Sequence, residues 1–479
     1  MHRFRLIFTA TLSLLGSACA VGPNYQAPLP TLPMAWQAAV PNDPSAPATA
    51  ADWWARFDDP AVATLVRWAE ADSPTLDKAA AAIASARATL TSSGAAALPT
   101  VSGSGSVTRA RQATIGIAPV VATTRSASLD ASWELDLFGK LKRGREAAAA
   151  RVEARNDDWA SARVSLAAEV ADDYVQYRAC RMIEATYADQ FKSQQETARI
   201  TAIAIRAGLS APADDDLAQA GASSANSTRI EQQTACELLV KALVTLTGVP
   251  EATLRSTIDA ARKPLPSPAV FDVARVPTAL LRQRPDIAAA ERTLAAASAD
   301  IGQAEANRYP SLSLAGSIGL AATSGTSALT SWSFGPSLAL PIFDGGTRRA
   351  AVASAQAAYD SAYADYRSSV RSAVQEVEEA LVQLYGASRR SEDAAQAAER
   401  YRRYFNATEI NWRAGGASLL TLEEARRSSL TAETSLLALK RDQLRQYIAL
   451  YKALGGGWEA DTSISLNIPS NITTSGSTR

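Results

Sequence analysis

RAGGASLLTLEEARR, residues 413–427, breaks a region that otherwise reads as continuous helix. Gly415 and Gly416 each cost about 1 kcal/mol against alanine in a helix interior, and the carboxylates Glu423 and Glu424 follow soon after. The same break occurs a second time. RAGLS at Arg206 parallels RAGGAS at Arg413, and LVTLTGVP parallels LYKALGGG, so that Gly208 and Gly415, like Gly248 and Gly455, stand 207 positions apart. Further upstream, SPTLDKAAAAIASARATL from Ser73 parallels RPDIAAAERTLAAASADI from Arg284, with Pro74 and Pro99 each 211 positions before Pro285 and Pro310. SWELDLFGKLKRGREAA and LALPIFDGGTRRAAVAS align Phe138 with Phe343 at an offset of 205. Landmarks kept in one order mark an internal duplication. Each half follows one plan: helix, two strands, very long helix, glycine break, return helix.

The strands are read from alternation with period two. Ala127, Leu129, Ala131, Trp133, Leu135 and Leu137 share one face, and Ser128, Asp130, Ser132, Glu134 and Asp136 share the other. In the second half Leu312, Leu314, Ile318 and Leu320 alternate with small residues, as do Trp332, Phe334, Leu338, Leu340 and Ile342. Small residues and turn formers place loops near Ile115–Thr123 and Ala321–Thr330. Strands of ~9–11 residues suit a tilted membrane crossing, with the polar face on an aqueous lumen. Four strands cannot close a barrel, which needs about eight, so several chains would pool theirs; three would supply twelve.

From Lys140 to Arg206 there is no proline, and the only glycine is Gly144; residues 347–413 match this segment. At 1.5 Å per residue such a helix runs on the order of 100 Å. The return helix carries Leu430, Leu437, Leu444 and Tyr451 at heptad spacing, joined by Tyr447 and Leu454, which makes a coiled-coil seam.

Composition excludes several function classes. Basic and acidic residues balance at 48 each, so no nucleic-acid partner is indicated. The only histidine is His2, inside a segment that reads as cleaved, which removes the commonest general base and metal ligand. No catalytic constellation, nucleotide loop or metal cluster is found, so neither an enzyme nor a cofactor or metal site is expected. The start, MHRFRLIFTATLSLLGSAC, has a charged head, a short apolar run from Leu6 to Leu15 and small residues before Cys19. It is a signal peptide, too short for a spanning helix. Cys19 after the small-residue site resembles a lipobox, although Gly16 stands where leucine is usual; an ordinary secretory signal is the alternative. No later stretch offers the ~20 apolar residues of a transmembrane helix, so a membrane-spanning mature chain must use β-strands.

With these pieces assembled, the chain resembles the TolC-like outer-membrane channels of tripartite export systems, in their lipoprotein, NodT-like branch. The resemblance rests on CAVGPNYQAPLP at Cys19, WWARFDDPAVATLV at Trp53, SWELDLFGKLKR at Ser132, RQRPDIAAAERTLAAA at Arg282, RYPSLSLAGSIG at Arg308, ALPIFDGG at Ala339 and the two RAG tips. It implies a mixed α and β membrane protein. A trimeric 12-stranded barrel, four strands per chain, would continue into an α-helical periplasmic tunnel with an equatorial collar. The expected segments are a signal peptide over 1–18, a first repeat with its equatorial segment over 19–265, a second repeat over 266–458 and a polar, disordered tail over 459–479. Trp53, Trp54, Phe57 and Trp68 would serve the collar or its core. The implied function is a passive duct exporting small molecules across the outer membrane. Implied partners are two further copies of the chain, outer-membrane lipid, a periplasmic adaptor and an inner-membrane pump of the resistance–nodulation–division type. A duct for type I protein secretion, and a poreless coiled-coil envelope lipoprotein, are the alternatives.

The resemblance also assigns residues. Cys19 would carry lipid. The family's Arg-x-Gly-x-x-Ser tip is intact as Arg413, Gly415 and Ser418, and altered as Arg206, Gly208 and Ser210; these tips would meet the adaptor. Glycine suits the turn, and Ser418 or Ser210 can cap the returning helix. Asp215, Asp216, Glu423 and Glu424 are candidates for carboxylate rings at the periplasmic aperture; simple complementing of a helix dipole is the other reading. Cys180 and Cys236 lie symmetrically about Gly208, opposite one another in an antiparallel pair. In the oxidising periplasm they are expected to form a disulfide, with two buried free thiols as the alternative.

Overall fold

The computed structural model describes residues 20–29, 32–33, 35–38, 54, 57, 59–260, 265 and 284–456, apart from 115 and 116. Cys19, Trp53, the 265/266 boundary and the tail from residue 459 lie outside the described residues, as does the signal peptide. In chain order the elements are α1 (Pro60–Ala71), α2 (Pro74–Ala95), β1 (Thr100–Thr114), β2 (Ile117–Leu135), α3 (Lys140–Arg206), α4 (Pro212–Thr247), α5 (Glu251–Ile258), α6 (Pro285–Ala306), β3 (Ser311–Thr323), β4 (Leu329–Ala339), α7 (Thr347–Arg413) and α8 (Leu419–Ala453). The duplication is visible in their lengths. α2 and α6 have 22 residues each, and α3 and α7 have 67 each. None of the described helices is long and apolar enough to cross a membrane.

Two compact units are present. The first holds residues 20–29 together with Ala79–Asp158 and Asp286–Ser369, and contains the sheet. Its strands run in the order β1-β2-β3-β4, every pair antiparallel. Register aligns the two faces across the strands. Gly103 faces Leu129, Leu129 faces Ile318 and Ile318 faces Trp332, while Gly316 faces Phe334 and Leu312 faces Leu338. On the opposite face, serine hydroxyls pair across strands: Ser104 with Ser128 at 2.9 Å, Ser106 with Ser126 at 2.9 Å and Ser317 with Ser333 at 2.8 Å. The apolar face is open. Trp332 is 78% exposed, Phe334 74% and Leu338 67%.

The ladder departs from the expected strand limits. The strands have 15, 19, 13 and 11 residues; β4 keeps the length of a bare crossing, while β1 and β2 exceed it most because they keep pairing past the last β2–β3 pair, Thr124 with Thr323. Of the loop expected over Ile115–Thr123, residues 117–123 belong to β2 instead, since β-branched Val120, Val121, Thr123 and Thr124 favour the extended chain. At the other end the alternation outruns the ladder: Leu137, Leu340 and Ile342 follow the last paired residues.

The second unit takes in the described parts of Thr31–Lys78, Trp159–Pro285 and Val370–Arg479. Leu437, Leu444 and Tyr451 of the heptad seam are buried, with Leu430, Tyr447 and Leu454 half-buried beside them. Trp54 packs on Tyr451 with ring centres 4.5 Å apart and on Phe57 at 5.6 Å; Trp68 is half-buried. Asp59 caps α1 by accepting the Ala61 N–H and takes a 2.6 Å hydrogen bond from the Tyr174 hydroxyl. These contacts tie Trp54 and Asp59 to Tyr451 of α8 and Tyr174 of α3.

Candidate functional site

Both glycine breaks turn the helix with one backbone device. At the first, Gly208 N–H bonds Ile205 O at 2.9 Å and Leu209 N–H bonds Ala204 O at 2.9 Å. At the second, Gly415 N–H bonds Trp412 O at 2.9 Å and Gly416 N–H bonds Asn411 O at 2.8 Å. This crossed pair is the Schellman termination, which requires a left-handed residue. Gly208 has φ +73° and Gly415 has φ +78°. An added Cβ would meet no atom within 4 Å at either glycine, so backbone conformation rather than crowding demands the residue. Residues 207–211 and 414–418 join the helices.

The return helices start differently. Ser418 is the N-cap of α8 and accepts the Thr421 N–H at 3.1 Å. Ser210 does not cap α4. Ala211 holds that place, and the Ser210 hydroxyl instead donates to Asp214 Oδ2 at 2.6 Å. Pro212 at the first helical position, which has no N–H to satisfy, makes a side-chain cap less necessary. Arg413 pairs with Glu409 at 3.0 Å, one turn back, while Arg206 is exposed. Apolar side chains that the motif reading passed over also stand open at the tips: Leu209 at 81%, Ile410 at 70% and Leu420 at 59% exposure. Ile203 and Ile410 hold equivalent places in the repeat, a signal that was available in the sequence.

The four aperture candidates fall into two kinds. Asp216 and Glu424 are exposed, whereas Asp215 and Glu423 are half-buried. Glu423 accepts the Gln194 side-chain amide at 2.6 Å and is paired with Arg426. Arg426 itself is only 3% exposed. It donates to Thr197 Oγ1 at 2.7 Å and Ser193 Oγ at 3.3 Å, and its guanidinium lies 5.4 Å from the Phe405 ring centre. Nearby, Ala198, Ala218, Leu419 and Leu422 form a buried cluster with Phe405 and Trp412 against it. Arg426 therefore fastens α8 to α3 close to the tips. Sequence reasoning missed it because its partners lie 229 and 233 residues away.

Cys180 and Cys236 are joined, Sγ to Sγ at 2.07 Å with Cα atoms 5.6 Å apart, which cross-links α3 to α4. At the sheet end of α3, the residues that follow Cys19 are strapped down. Val21 N–H bonds Phe138 O at 3.1 Å, and Arg143 reaches Val21 O at 3.2 Å and Asn24 Oδ1 at 2.9 Å. Tyr25 donates to Glu291 at 2.5 Å; burial and that carboxylate raise its phenol pKa.

A sheet with one open apolar face and one serine-lined face, in a chain that also has two long helical hairpins, fits a channel of the outer membrane. A family model described as outer membrane efflux protein matches residues 65–249 and 276–456, and the chain belongs to that family. Nodulation protein T of Rhizobium leguminosarum bv. trifolii is 31% identical over 461 residues, covering 95% of this chain and 98% of the relative. The pyoverdine export outer membrane protein OpmQ of Pseudomonas putida is 32% identical, covering 86% of this chain and 89% of its own. The solved outer-membrane channel OprN superposes with a TM-score of 0.82 at 32% identity, covering 92% of this chain and all of that one. The chain is an outer-membrane channel component of an efflux pump, with barrel strands that continue into long helices.

Proposed function

We propose that three copies of the chain pool their sheets into one twelve-stranded barrel and form a passive duct for small molecules. The supporting observation is the four-stranded sheet with its open apolar face. Its β1 and β4 edges each have a single pairing partner, and four strands are too few to close. A poreless coiled-coil spacer has no use for such a face. Cys19 carries the lipid anchor; the strap that follows it ends beside the junction of β2 and α3, at the level where strands give way to helix. The tips, with Arg206, Gly208, Ser210, Arg413, Gly415 and Ser418, receive a periplasmic adaptor coupled to an inner-membrane pump of the resistance–nodulation–division type. The open Leu209 and Leu420 add apolar surface at the tips. Asp216 and Glu424 line the periplasmic aperture, with Asp215 and Glu423 behind them, and three chains make each carboxylate a ring.

The tip reading is tested by Arg413→Glu combined with Leu420→Asp. Cells relying on this channel are expected to accumulate the exported compound while barrel assembly and single-channel current stay normal. Undiminished export would remove the tips from the docking role.

A further inference from the structure

Beyond the apolar band, the lipid-facing side of the sheet changes character. On β1 the residues that follow Val101 and Val107 on that face are Arg109 and Arg111; on β2 it is Arg125, directly opposite Val107. Arg109 faces Thr123, so Arg125 is its diagonal neighbour, at a spacing of about 7–8 Å. Arg111 lies two residues further along β1, again about 7 Å away. All three are exposed. The same face of the four strands carries no described carboxylate, because Asp130 and Glu134 point to the serine side. Like charges gathered this way repel, and nothing on the face offsets them.

One row below the arginines is a shallow cavity of about 360 Å³. Gly105 and Ala127 floor it, Val107 and Leu320 wall it, and Arg125 stands at its lip. A Cβ added to Gly105 would find its nearest neighbour, Ser126 O, at 3.8 Å, so the floor is low because side-chain volume is missing there. Apolar groove and cationic lip are continuous with the lipid-facing band. They sit toward the Thr114 end of β1 and the Ile117 end of β2, away from the strand ends that lead into α3 and α7. That end of the barrel meets the outer leaflet.

Taking the sheet as a membrane barrel, we propose that Arg109, Arg111 and Arg125 bind the phosphate groups of an outer-leaflet glycolipid while one of its acyl chains fills the Gly105–Ala127 groove. Guanidinium forks match phosphate oxygens two at a time, and each chain holds a complete site.

The test uses purified full-length channel in detergent with bis-phosphorylated lipid A as probe and phosphatidylglycerol as the competing anionic lipid, with bound lipid read by native mass spectrometry. Arg109→Ala/Arg111→Ala/Arg125→Ala is expected to weaken lipid A binding by about tenfold or more, and Gly105→Leu to weaken it with the arginines intact. Lipid A bound equally by the triple variant and the parent chain would overturn the proposal. So would a parent chain that holds phosphatidylglycerol as well as lipid A, since that is generic charge attraction. Single-channel currents of the variants should match the parent's; a parent chain that carries no current counts against the channel reading and not against this site.

Discussion

The two hairpins share a turn and differ in what fixes it. α3/α4 and α7/α8 reverse through the same crossed backbone bonds about a left-handed glycine, 207 residues apart. Past that point they diverge. The first hairpin is cross-linked by Cys180–Cys236, where the second has Ala387 and Gln443 at the matching positions. The second is capped by Ser418 and fastened through Arg426, where the first has Ala211 and Gln219. Duplication preserved the backbone solution, and each copy acquired its own side-chain restraint. One restraint is covalent and lies within its own hairpin; the other is an ion pair inside α8 whose two members hydrogen-bond across to Ser193, Gln194 and Thr197 of the neighbouring hairpin.

The largest effect should follow from the covalent one. The bond closes a loop with a sequence separation of 56, and chain-entropy reasoning gives it about 4 kcal/mol. Cys180→Ser with Cys236→Ser should lower the unfolding midpoint of the first hairpin's helices, followed by amide exchange, while the second hairpin's amides stay protected. Equal loss in both would mean that the hairpins unfold as one unit.

Next is Arg426→Ala. Removing it leaves the half-buried Glu423 carboxylate with Gln194 as a partner and takes away the bonds to Ser193 and Thr197, with a cost of roughly 2 kcal/mol. Gln219→Ala at the matching exposed position should change stability by less than about 0.5 kcal/mol. Denaturant melts of the two variants compare them directly, and similar midpoints would deny that α8 is held by this arginine.

A smaller difference is pH-dependent. Asp173 on α3 is pushed up from 3.8 to about 6 by burial and by Asp172 and Glu169, against the pull of Arg445; the matching residue on α7 is the buried Ala380. Because the folded value is the higher one, the contribution of Asp173 is full below 3.8 and is lost as pH rises through about 6. Stability should therefore decline over that window, and Asp173→Asn should flatten the decline. An unchanged pH profile in the variant would place the titration elsewhere.

These contrasts also mark what the sequence could carry. Helix limits at Lys140, Arg206 and residues 347–413 were legible because proline and glycine punctuate the chain locally. The strand faces were legible because period two is local as well. The Ser210 contact was not, since a one-residue shift from the cap position changes its partner from backbone to Asp214. Nor was the double use of Glu423: its reading as an aperture group came from the family resemblance, while Gln194 on α3 reaches it from 229 residues away. The extra length of β1 and β2 depends on pairing with each other beyond β3, which no single strand reveals.

The central claim is that chains with four strands each join to make a conducting barrel. Purified protein added to a planar lipid bilayer tests it most directly. Discrete, uniform single-channel currents from a heat-modifiable trimer are predicted, with cation preference reduced and current raised by Asp216→Asn with Glu424→Gln. Folded protein that inserts and carries no current, or that remains monomeric in the membrane, would contradict the account.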